Sequence, residues 1–180
     1  MAYIKYLELE DIPEMDRVND DDNILRIHSV HSIFTKAHND LYRELMFSKG
    51  PLSRIQREII AVTVSSVNEC HYWIEHHGAG LRRLLHSQNV GFESQEKLIS
   101  NLIESHTDPD LNDADTAMLG YVVKLTQTPG KMTLEDVETL RLTGFDDRAI
   151  HDICSIAAYF NFVNRTADGL GVELEERFSN

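Results

Sequence analysis

From residue 24 onward, apolar side chains recur at intervals of three and four along almost the whole chain. That spacing puts them on one face of an α-helix, whereas a half-buried β-strand would need apolar and polar residues to alternate. The β-branched residues of this chain never settle into such an alternation. The pattern therefore predicts an all-α helical bundle.

Turn and capping residues divide this pattern into separate helices. The first predicted helix ends at Gly50 and Pro51, which stop helices. Ser53 and Gln56 have the spacing of a capping box that opens a second helix, and the largely apolar stretch 59–67 indicates that this helix is buried on several sides. Further helices are predicted at about 70–87, 92–103, 113–128, 134–143 and 146–169. The first helix carries one apolar stripe, formed by Val30, Ile33, Phe34, Ala37, Leu41 and Leu45.

The charge balance excludes several classes of partner. Lysine and arginine number 17 against 30 aspartates and glutamates, which gives a net charge of -13. A field of that sign repels phosphate backbones and anionic lipid headgroups, so we expect neither nucleic acid nor a membrane as partner. No apolar run approaches the roughly 20 residues that span a bilayer, and no basic and apolar leader is recognisable, so we expect a cytoplasmic protein. Its two cysteines exclude a disulfide framework.

The acidic excess is concentrated at the N-terminus. Residues 1–22 hold eight aspartates or glutamates against one lysine and one arginine. Charge clusters of this kind are usually solvated rather than packed. We therefore predict an acidic arm over residues 1–23, a helical domain over 24–176 and a short tail over 177–180.

The stretch 58–77 has the greatest potential for chemistry. A cysteine at the start of a helix faces backbone N–H groups and the positive end of the helix dipole, which favours a thiolate at Cys70. With 3.6 residues per turn, Cys70, Trp73 and His77 share one helix face, and roughly 10 Å along the axis separates Cys70 from His77. Glu58 interrupts an apolar helix, and a buried carboxylate implies a partner or a role.

Other interpretations of these residues stay open. Cys70 can equally be a small buried hydrophobe, and we expect Cys154, which has apolar neighbours, to lie in the core and to react only after unfolding. His71 and Glu75, one turn apart, are candidates to share a metal with neighbouring histidines. The chain has no His-Glu-x-x-His pattern and no evident remote ligand. We expect neither a metal nor a cofactor.

Two stretches of the sequence resemble a known superfamily. The order Glu58, Cys70, His77, preceded by LSRIQRE over residues 52–58, resembles the AhpD-like superfamily of alkylhydroperoxidases and carboxymuconolactone decarboxylases. The stretch YFNFVNRTADGLGVE over residues 159–173 resembles its peroxidase-related subgroup. In alkylhydroperoxidases of this superfamily, a Cys-x-x-Cys pair reduces a peroxide and closes a disulfide while a glutamate and a histidine relay protons. The resemblance therefore implies an AhpD-like helical bundle.

One position departs from that pattern. Trp73 stands where the second cysteine of the pair belongs, so the dithiol cycle cannot run within this motif. Cys154 would supply the missing thiol only if its helix packs beside the helix that starts at Cys70. The site residues that the resemblance implies are the catalytic Cys70, His77 and Glu58 and the pocket residues Tyr72 and Trp73.

Three functions fit these observations. The first is a peroxidase-related antioxidant activity, in which Cys70 reduces a peroxide, Glu58 and His77 relay protons and an external thiol is the reductant. The second is an acid–base reaction of the carboxymuconolactone decarboxylase type on a small-molecule substrate. The third is a non-catalytic helical oligomer whose pocket Trp73 has filled. We expect at least a homodimer, because the resemblance implies an oligomer and apolar helix faces need cover.

Overall fold

The computed structural model describes residues 2–7, 11–14, 17 and 22–178, and this part of the chain is helical without any β-strand. The all-α prediction is confirmed. None of the described helices combines the length and the apolar character needed to cross a lipid bilayer. The α-helices are α1 (Asn23–Ile27), α2 (Ser32–Phe47), α3 (Arg54–Val67), α4 (His71–Ser87), α5 (Phe92–Glu104), α6 (Asp113–Gln127), α7 (Leu134–Leu142) and α8 (Asp147–Leu170), and short 3₁₀ helices cover His28–His31, Pro129–Lys131 and Glu176–Phe178.

The chain divides into two compact units. The larger comprises residues 49–164 and contains α3 to α7 and most of α8. The smaller comprises the described residues before 49 and after 164. The boundaries of the predicted acidic arm stay a prediction, because several of its carboxylates lie outside the described residues: Glu8, Glu10, Asp16, Asp20 and Asp21.

In the larger unit, α3 is the central helix. Every residue from Arg57 to Ser66 is buried, and α3 packs against α4, α5 and α6. The helix begins with the predicted capping box, in which the Ser53 hydroxyl accepts from the Gln56 backbone N–H at 3.1 Å and the Gln56 amide oxygen accepts from the Ser53 N–H at 2.9 Å. Two backbone donors at the helix start are thereby satisfied. This burial confirms the prediction of a helix covered on several sides.

A tight turn joins α3 to α4 and sets the position of the cysteine. Asn68 is the C-cap of α3, Glu69 has a left-handed backbone with φ of 57°, and Cys70 is the N-cap of α4. The helix therefore begins at His71, one residue later than predicted. A non-glycine residue in the left-handed region carries a conformational cost, which the surrounding contacts must offset.

In the smaller unit, the predicted apolar stripe does not face the interior. Val30, in the 3₁₀ helix His28–His31, is 56% exposed, and Ile33 and Leu41 on α2 are 70% and 50% exposed. The buried residues of this unit include Ile24, Leu25, Ile27 and Met46 together with His28 and His38, and the His28 ring lies 4.8 Å from the rings of both Phe34 and His38. An amphipathic pattern usually marks the core-facing side of a helix, so this outward stripe is a departure from the usual arrangement.

Candidate active site

Glu58 and His77 meet in the interior of the larger unit. Glu58 lies in the second turn of α3 and His77 in the second turn of α4, and these two helices pack against each other. The Nδ1 atom of His77 lies 2.5 Å from Oε2 of Glu58, and both side chains are 4% exposed. A carboxylate at Nδ1 orients the imidazole and makes Nε2 the nitrogen at which a proton would be exchanged.

The second oxygen of Glu58 has a cationic partner. Arg54, one helical turn earlier on α3, donates from Nη2 to Oε1 of Glu58 at 2.7 Å. Burial alone would raise the pKa of the Glu58 carboxyl, but the charge and hydrogen bond of His77, followed by those of Arg54, outweigh it and hold the pKa below its ordinary value. Glu58 is therefore held as a carboxylate whose two oxygens both accept hydrogen bonds.

A glycine makes room for this carboxylate. Gly80 lies three residues after His77 on α4, and a Cβ atom built on it would lie 3.2 Å from Oε2 and 3.3 Å from Cδ of Glu58. Such contacts are tighter than side chains normally make. The close approach of α4 to the carboxyl group of Glu58 thus depends on the absence of a side chain at residue 80.

Trp73 packs directly on the histidine. Its ring lies 5.2 Å from the His77 ring at an interplanar angle of 20°, and the edge of Phe160 on α8 meets both rings. The indole N–H donates to the carbonyl oxygen of Val163 at 3.1 Å. Trp73 is 4% exposed, so the indole fills the space beside His77 and is anchored to α8.

Cys70 contacts a carbonyl group. Its thiol is fully buried, and Sγ lies 3.8 Å from the backbone oxygen of Asn164, an arrangement in which the S–H donates. Although Cys70 is the N-cap of α4, its side chain makes no capping hydrogen bond. Backbone N–H groups at the start of α4 are expected to favour a thiolate, whereas the carbonyl oxygen of Asn164 accepts a hydrogen bond from a thiol and offers none to a thiolate.

Comparison with known proteins places this geometry in a family context. Residues 34–88 match the model of the carboxymuconolactone decarboxylase family. One similar structure is an AhpD core structure, an uncharacterized peroxidase-related protein from Ralstonia eutropha JMP134. The match covers 98% of this chain and 94% of that chain, with 25% identity and a TM-score of 0.84. An uncharacterized peroxidase-related protein from Silicibacter sp. TM1040 matches 96% of this chain over 93% of its own, at 27% identity and a TM-score of 0.81. The chain has an AhpD-like fold.

Two further results complete the comparison. The debrominase Bmp8, in a variant bound to 2,3,4-tribromopyrrole, shares this fold at 18% identity and a TM-score of 0.77, with 98% of this chain and 94% of that chain covered. No match is found among curated proteins. The resemblance to the AhpD-like and carboxymuconolactone decarboxylase superfamily is thus confirmed by the family model and by the two peroxidase-related structures.

In this AhpD-like site, the thiol of Cys70 does not meet the hydrogen-bonded pair of Glu58 and His77. Cys70 and His77 share a helix face but are separated by roughly 10 Å of helix axis, and the indole of Trp73 lies between them in sequence and stacks on the imidazole. Hydrogen bonding requires about 3 Å. His77 therefore pairs with Glu58, while Cys70 lies out of its reach.

Cys154 does not replace the missing second thiol within one chain. Cys154 precedes Asn164 by ten residues on α8, which is roughly 15 Å along the helix axis. Because Cys70 contacts Asn164, Cys70 lies far along α8 from Cys154. A disulfide needs Cα atoms within about 7 Å. Cys154 is also half-buried rather than in the core, and burial together with a hydrogen bond to Cys154 raises the pKa of Tyr121.

The remaining predicted site residues lie apart from the Glu58 carboxylate. Tyr72 is 3% exposed, stacks on His76 at 4.3 Å and meets the edge of Trp73 at 5.2 Å. His71 lies 4.0 Å from Glu75 at the exposed surface of α4. Tyr72 therefore packs behind Trp73, away from the hydrogen bond between His77 and Glu58.

Sequence reasoning missed the asparagine cluster that adjoins Cys70. The Asn164 amide accepts from Asn68 at 2.9 Å and donates to the Ser65 hydroxyl at 3.1 Å, and Asn68 also donates to Asn161 at 3.2 Å. These bonds tie α8 to the turn that carries Cys70. Asn161 and Asn164 belong to the C-terminal stretch used for the resemblance, so their spacing of three was the available signal.

Arg54 and Gly80 were also missed as site residues. Arg54 precedes Glu58 by four residues, the spacing at which helical side chains pair, so this partner was visible in the sequence. Gly80 gave no local signal, because the need for a glycine arises only where α3 approaches α4.

Proposed function

We propose that this chain is a peroxidase-related thiol oxidoreductase in which Cys70 is the reacting group and Glu58 with His77 handles protons. The observation that carries the proposal is the buried 2.5 Å hydrogen bond between Glu58 and His77 on the AhpD-like fold. Arg54 donates to the other oxygen of Glu58, and the absence of a side chain at Gly80 leaves room for the carboxyl group. Such an arrangement suits proton transfer at Nε2 of the imidazole.

The proposed cycle uses one cysteine and an external thiol. The Cys70 sulfur attacks the distal oxygen of a hydroperoxide, the O–O bond breaks, the thiol becomes a sulfenic acid, and the leaving alkoxide takes a proton to give an alcohol. One external thiol then forms a mixed disulfide with Cys70 and releases water. A second external thiol releases the free Cys70 thiol and an external disulfide.

The contacts of Cys70 predict slow turnover. The thiol is fully buried, it donates to a carbonyl oxygen, and Trp73 occupies the face between it and His77. A peroxide therefore reaches the sulfur only after a local opening of buried groups. We expect peroxide reduction well below that of a chain carrying two cysteines in this motif.

Peroxide consumption with dithiothreitol as reductant tests this proposal. We expect the wild type to consume cumene hydroperoxide and to give a dimedone adduct at Cys70 by mass spectrometry. The Cys70→Ser variant should lose both signals, and the matched Cys154→Ser variant should keep both. The Glu58→Gln variant should consume peroxide about 100-fold more slowly, because Glu58 orients His77 to give the leaving alkoxide its proton, and general acid–base catalysis typically contributes 10²–10⁴-fold.

Two outcomes would contradict this function. Equal peroxide consumption by wild type and Cys70→Ser would remove Cys70 from the chemistry. A dimedone adduct found at Cys154 and absent at Cys70 would show that Cys154, and not Cys70, is the reactive thiol. Circular dichroism and thermal unfolding of each variant would separate a chemical loss from a folding defect.

A second function is favoured by the isolation of Glu58 and His77 from the thiol. Acid–base chemistry of the carboxymuconolactone decarboxylase type needs these two groups and no redox cysteine, and residues 34–88 match that family model. A thiol-free assay on lactones and enolisable acids distinguishes the two functions. Turnover that survives Cys70→Ser and is lost in His77→Gln would favour this second function over peroxide reduction.

A further inference from the structure

Cys70 is held at two points by residues that are also bonded to each other. Its backbone N–H donates to the carbonyl oxygen of Ser65 at 2.9 Å, and its sulfur lies 3.8 Å from the carbonyl oxygen of Asn164. The side-chain amide of Asn164 donates in turn to the Ser65 hydroxyl at 3.1 Å. These contacts connect α3, the turn and α8, so the position of the sulfur depends on how α8 is held.

Asn68 holds the α8 side of this connection. It is the C-cap of α3 and lies two residues before Cys70. Its side-chain amide donates to the side-chain oxygens of Asn164 at 2.9 Å and of Asn161 at 3.2 Å. Residues three apart share a helix face, so one face of α8 meets the Asn68 amide. A single side chain therefore joins the turn that carries the thiol to the helix that accepts its hydrogen bond.

The hydrogen bonds of this network lie in the interior of the larger unit. Ser65 and Asn164 are fully buried, and Asn161 extends the network to the hydroxyl of the buried Thr126 at 3.0 Å. A buried amide that loses its partner is unfavourable, because water does not replace the lost hydrogen bond. The network therefore favours the arrangement in which the Asn164 carbonyl stays against the Cys70 sulfur.

The start of α4 offers the sulfur a second position. Cys70 is the N-cap of α4, yet its side chain makes no capping hydrogen bond. The first backbone N–H groups of a helix have no partner within the helix, and an N-cap side chain normally accepts from the second or third of them. A sulfur turned towards these N–H groups is favoured as a thiolate, whereas a sulfur that donates to the Asn164 carbonyl is favoured as a thiol.

From these contacts we propose that Asn68 is a positioning residue that keeps the Cys70 thiol protonated against α8. When the bond between Asn68 and Asn164 opens, the sulfur turns to the N–H groups of α4, its proton passes to solvent water, and the thiolate becomes the reactive form. The inference rests on the proposed function, since it takes Cys70 as the reacting thiol. It concerns the ionisation of that thiol and not its reaction with peroxide.

Alkylation of Cys70 by iodoacetamide, measured between about pH 5 and pH 10, tests this proposal. In a Cys154→Ser background, Cys70 is the only thiol of the chain. Adding Asn68→Ala should speed alkylation at least about 10-fold at pH 7 and lower the midpoint of the pH profile by about one pH unit, because one hydrogen bond that favours the thiol is weakened. The asparagine, serine and threonine side chains of the network do not titrate in this range, so the midpoint reports the thiol.

A second variant keeps the test valid if Asn68→Ala fails to fold. Ser65→Ala removes the hydroxyl that accepts from Asn164 but keeps the carbonyl that accepts from the Cys70 N–H. It should also lower the midpoint, by less than Asn68→Ala, because Asn68 still holds α8. Thermal unfolding of each variant checks that the alkylated protein is folded.

An asparagine elsewhere in the larger unit provides the matched control. Asn101 on α5 is half-buried like Asn68, and its amide donates to Asp108 at 2.6 Å. Asn101→Ala should leave the midpoint of Cys70 alkylation unchanged. A midpoint lowered as much by Asn101→Ala as by Asn68→Ala would overturn the proposal, because loosening of the fold in general would then explain the effect.

Two further outcomes decide the role of Asn68. A folded Asn68→Ala variant that is alkylated faster by the same factor at every pH, with an unchanged midpoint, would show a structural role only and overturn the proposal. Dimedone labelling after cumene hydroperoxide separates this result from the proposed function. A lowered midpoint without a dimedone adduct would support the role of Asn68 and contradict peroxide reduction, whereas an adduct with an unchanged midpoint would support peroxide reduction and overturn the role of Asn68.

Discussion

Two parts of the candidate site, the buried pair of Glu58 on α3 with His77 on α4 and the thiol of Cys70 at the start of α4, have opposite surroundings. The two hydrogen bonds to the Glu58 carboxyl group favour its charged form, with His77 on one oxygen and Arg54 on the other. The Cys70 sulfur is fully buried and lies against the carbonyl oxygen of Asn164, a contact that suits a neutral thiol. The hydrogen-bonded pair of Glu58 and His77 is therefore complete although a tryptophan occupies the thiol position nearest to it.

The largest stability difference between the two halves should follow removal of the carboxylate. We expect Glu58→Ala to lower the free energy of unfolding by about 3–5 kcal/mol, because Arg54 and His77 lose a buried partner. Cys70→Ala should cost less, about 1–2 kcal/mol, because it removes one small buried group. Urea unfolding of both variants measures this ordering, and a larger cost for Cys70→Ala would reverse the comparison.

Gly80 offers a subtler way to disturb the carboxylate. Gly80→Ala should cost about 1–3 kcal/mol, because the new methyl group meets the carboxyl group of Glu58 at 3.2 Å. Gly78→Ala on the same helix is the matched control, since its nearest neighbour is the flexible end of Arg82 at 3.6 Å. That control should stabilise by about 0.5–1 kcal/mol through helix propensity. Equal effects of the two substitutions would contradict the packing role of Gly80.

The contribution of the Glu58 carboxylate to the free energy of unfolding should depend on pH. Because the folded pKa of Glu58 is lowered, the unfolded state binds its proton first, so the stabilisation is present above the ordinary carboxyl pKa and is lost as pH falls through the folded pKa. The stability gap between wild type and Glu58→Gln should therefore narrow towards acidic pH. Urea titrations from pH 7 to pH 3 measure the gap, and a gap that widens on acidification would contradict the sign.

The smallest expected effect concerns the turn before the cysteine. Glu69→Gly should stabilise by up to about 0.5–1 kcal/mol, because glycine adopts the left-handed backbone at φ of 57° without a side-chain clash. Glu75→Gly is the matched control inside α4, where glycine should cost about 1 kcal/mol. Thermal unfolding would reveal these opposite signs, and a loss at residue 69 equal to that at residue 75 would show that its backbone is unstrained.

The sequence predicted those features of the fold that depend on neighbours along the chain. The capping box at Ser53 forms as expected, and α3 is buried as its composition indicated. That Glu58 has a partner was also predictable, because a buried carboxylate needs one. Helical periodicity and capping depend on local spacing, so one sequence sufficed for them.

Features that depend on packing between distant segments were not predictable in the same way. The apolar stripe of α2 faces outward while the polar side chain of His38 on the same helix is buried, and periodicity alone does not say which face is covered. Likewise, the carbonyl that contacts Cys70 belongs to Asn164, and nothing near residue 70 indicates it. The position of Cys70 at the start of α4 indicates a thiolate only when α4 is considered without α8.

The peroxidase turnover of a Trp73→Cys variant tests most directly whether residue 73 separates the Cys70 thiol from the proposed proton relay of Glu58 and His77. Trp73→Cys places a thiol one turn from His77 and three residues from Cys70, and its peroxidase turnover with a dithiol reductant should exceed that of wild type. Trp73→Ala is the control, since it removes the same ring without adding a thiol, and both variants should lose about 3–5 kcal/mol of stability. A gain confined to the folded Trp73→Cys variant is the predicted result. A folded Trp73→Cys variant no faster than Trp73→Ala, or a wild type already as fast, would contradict the account.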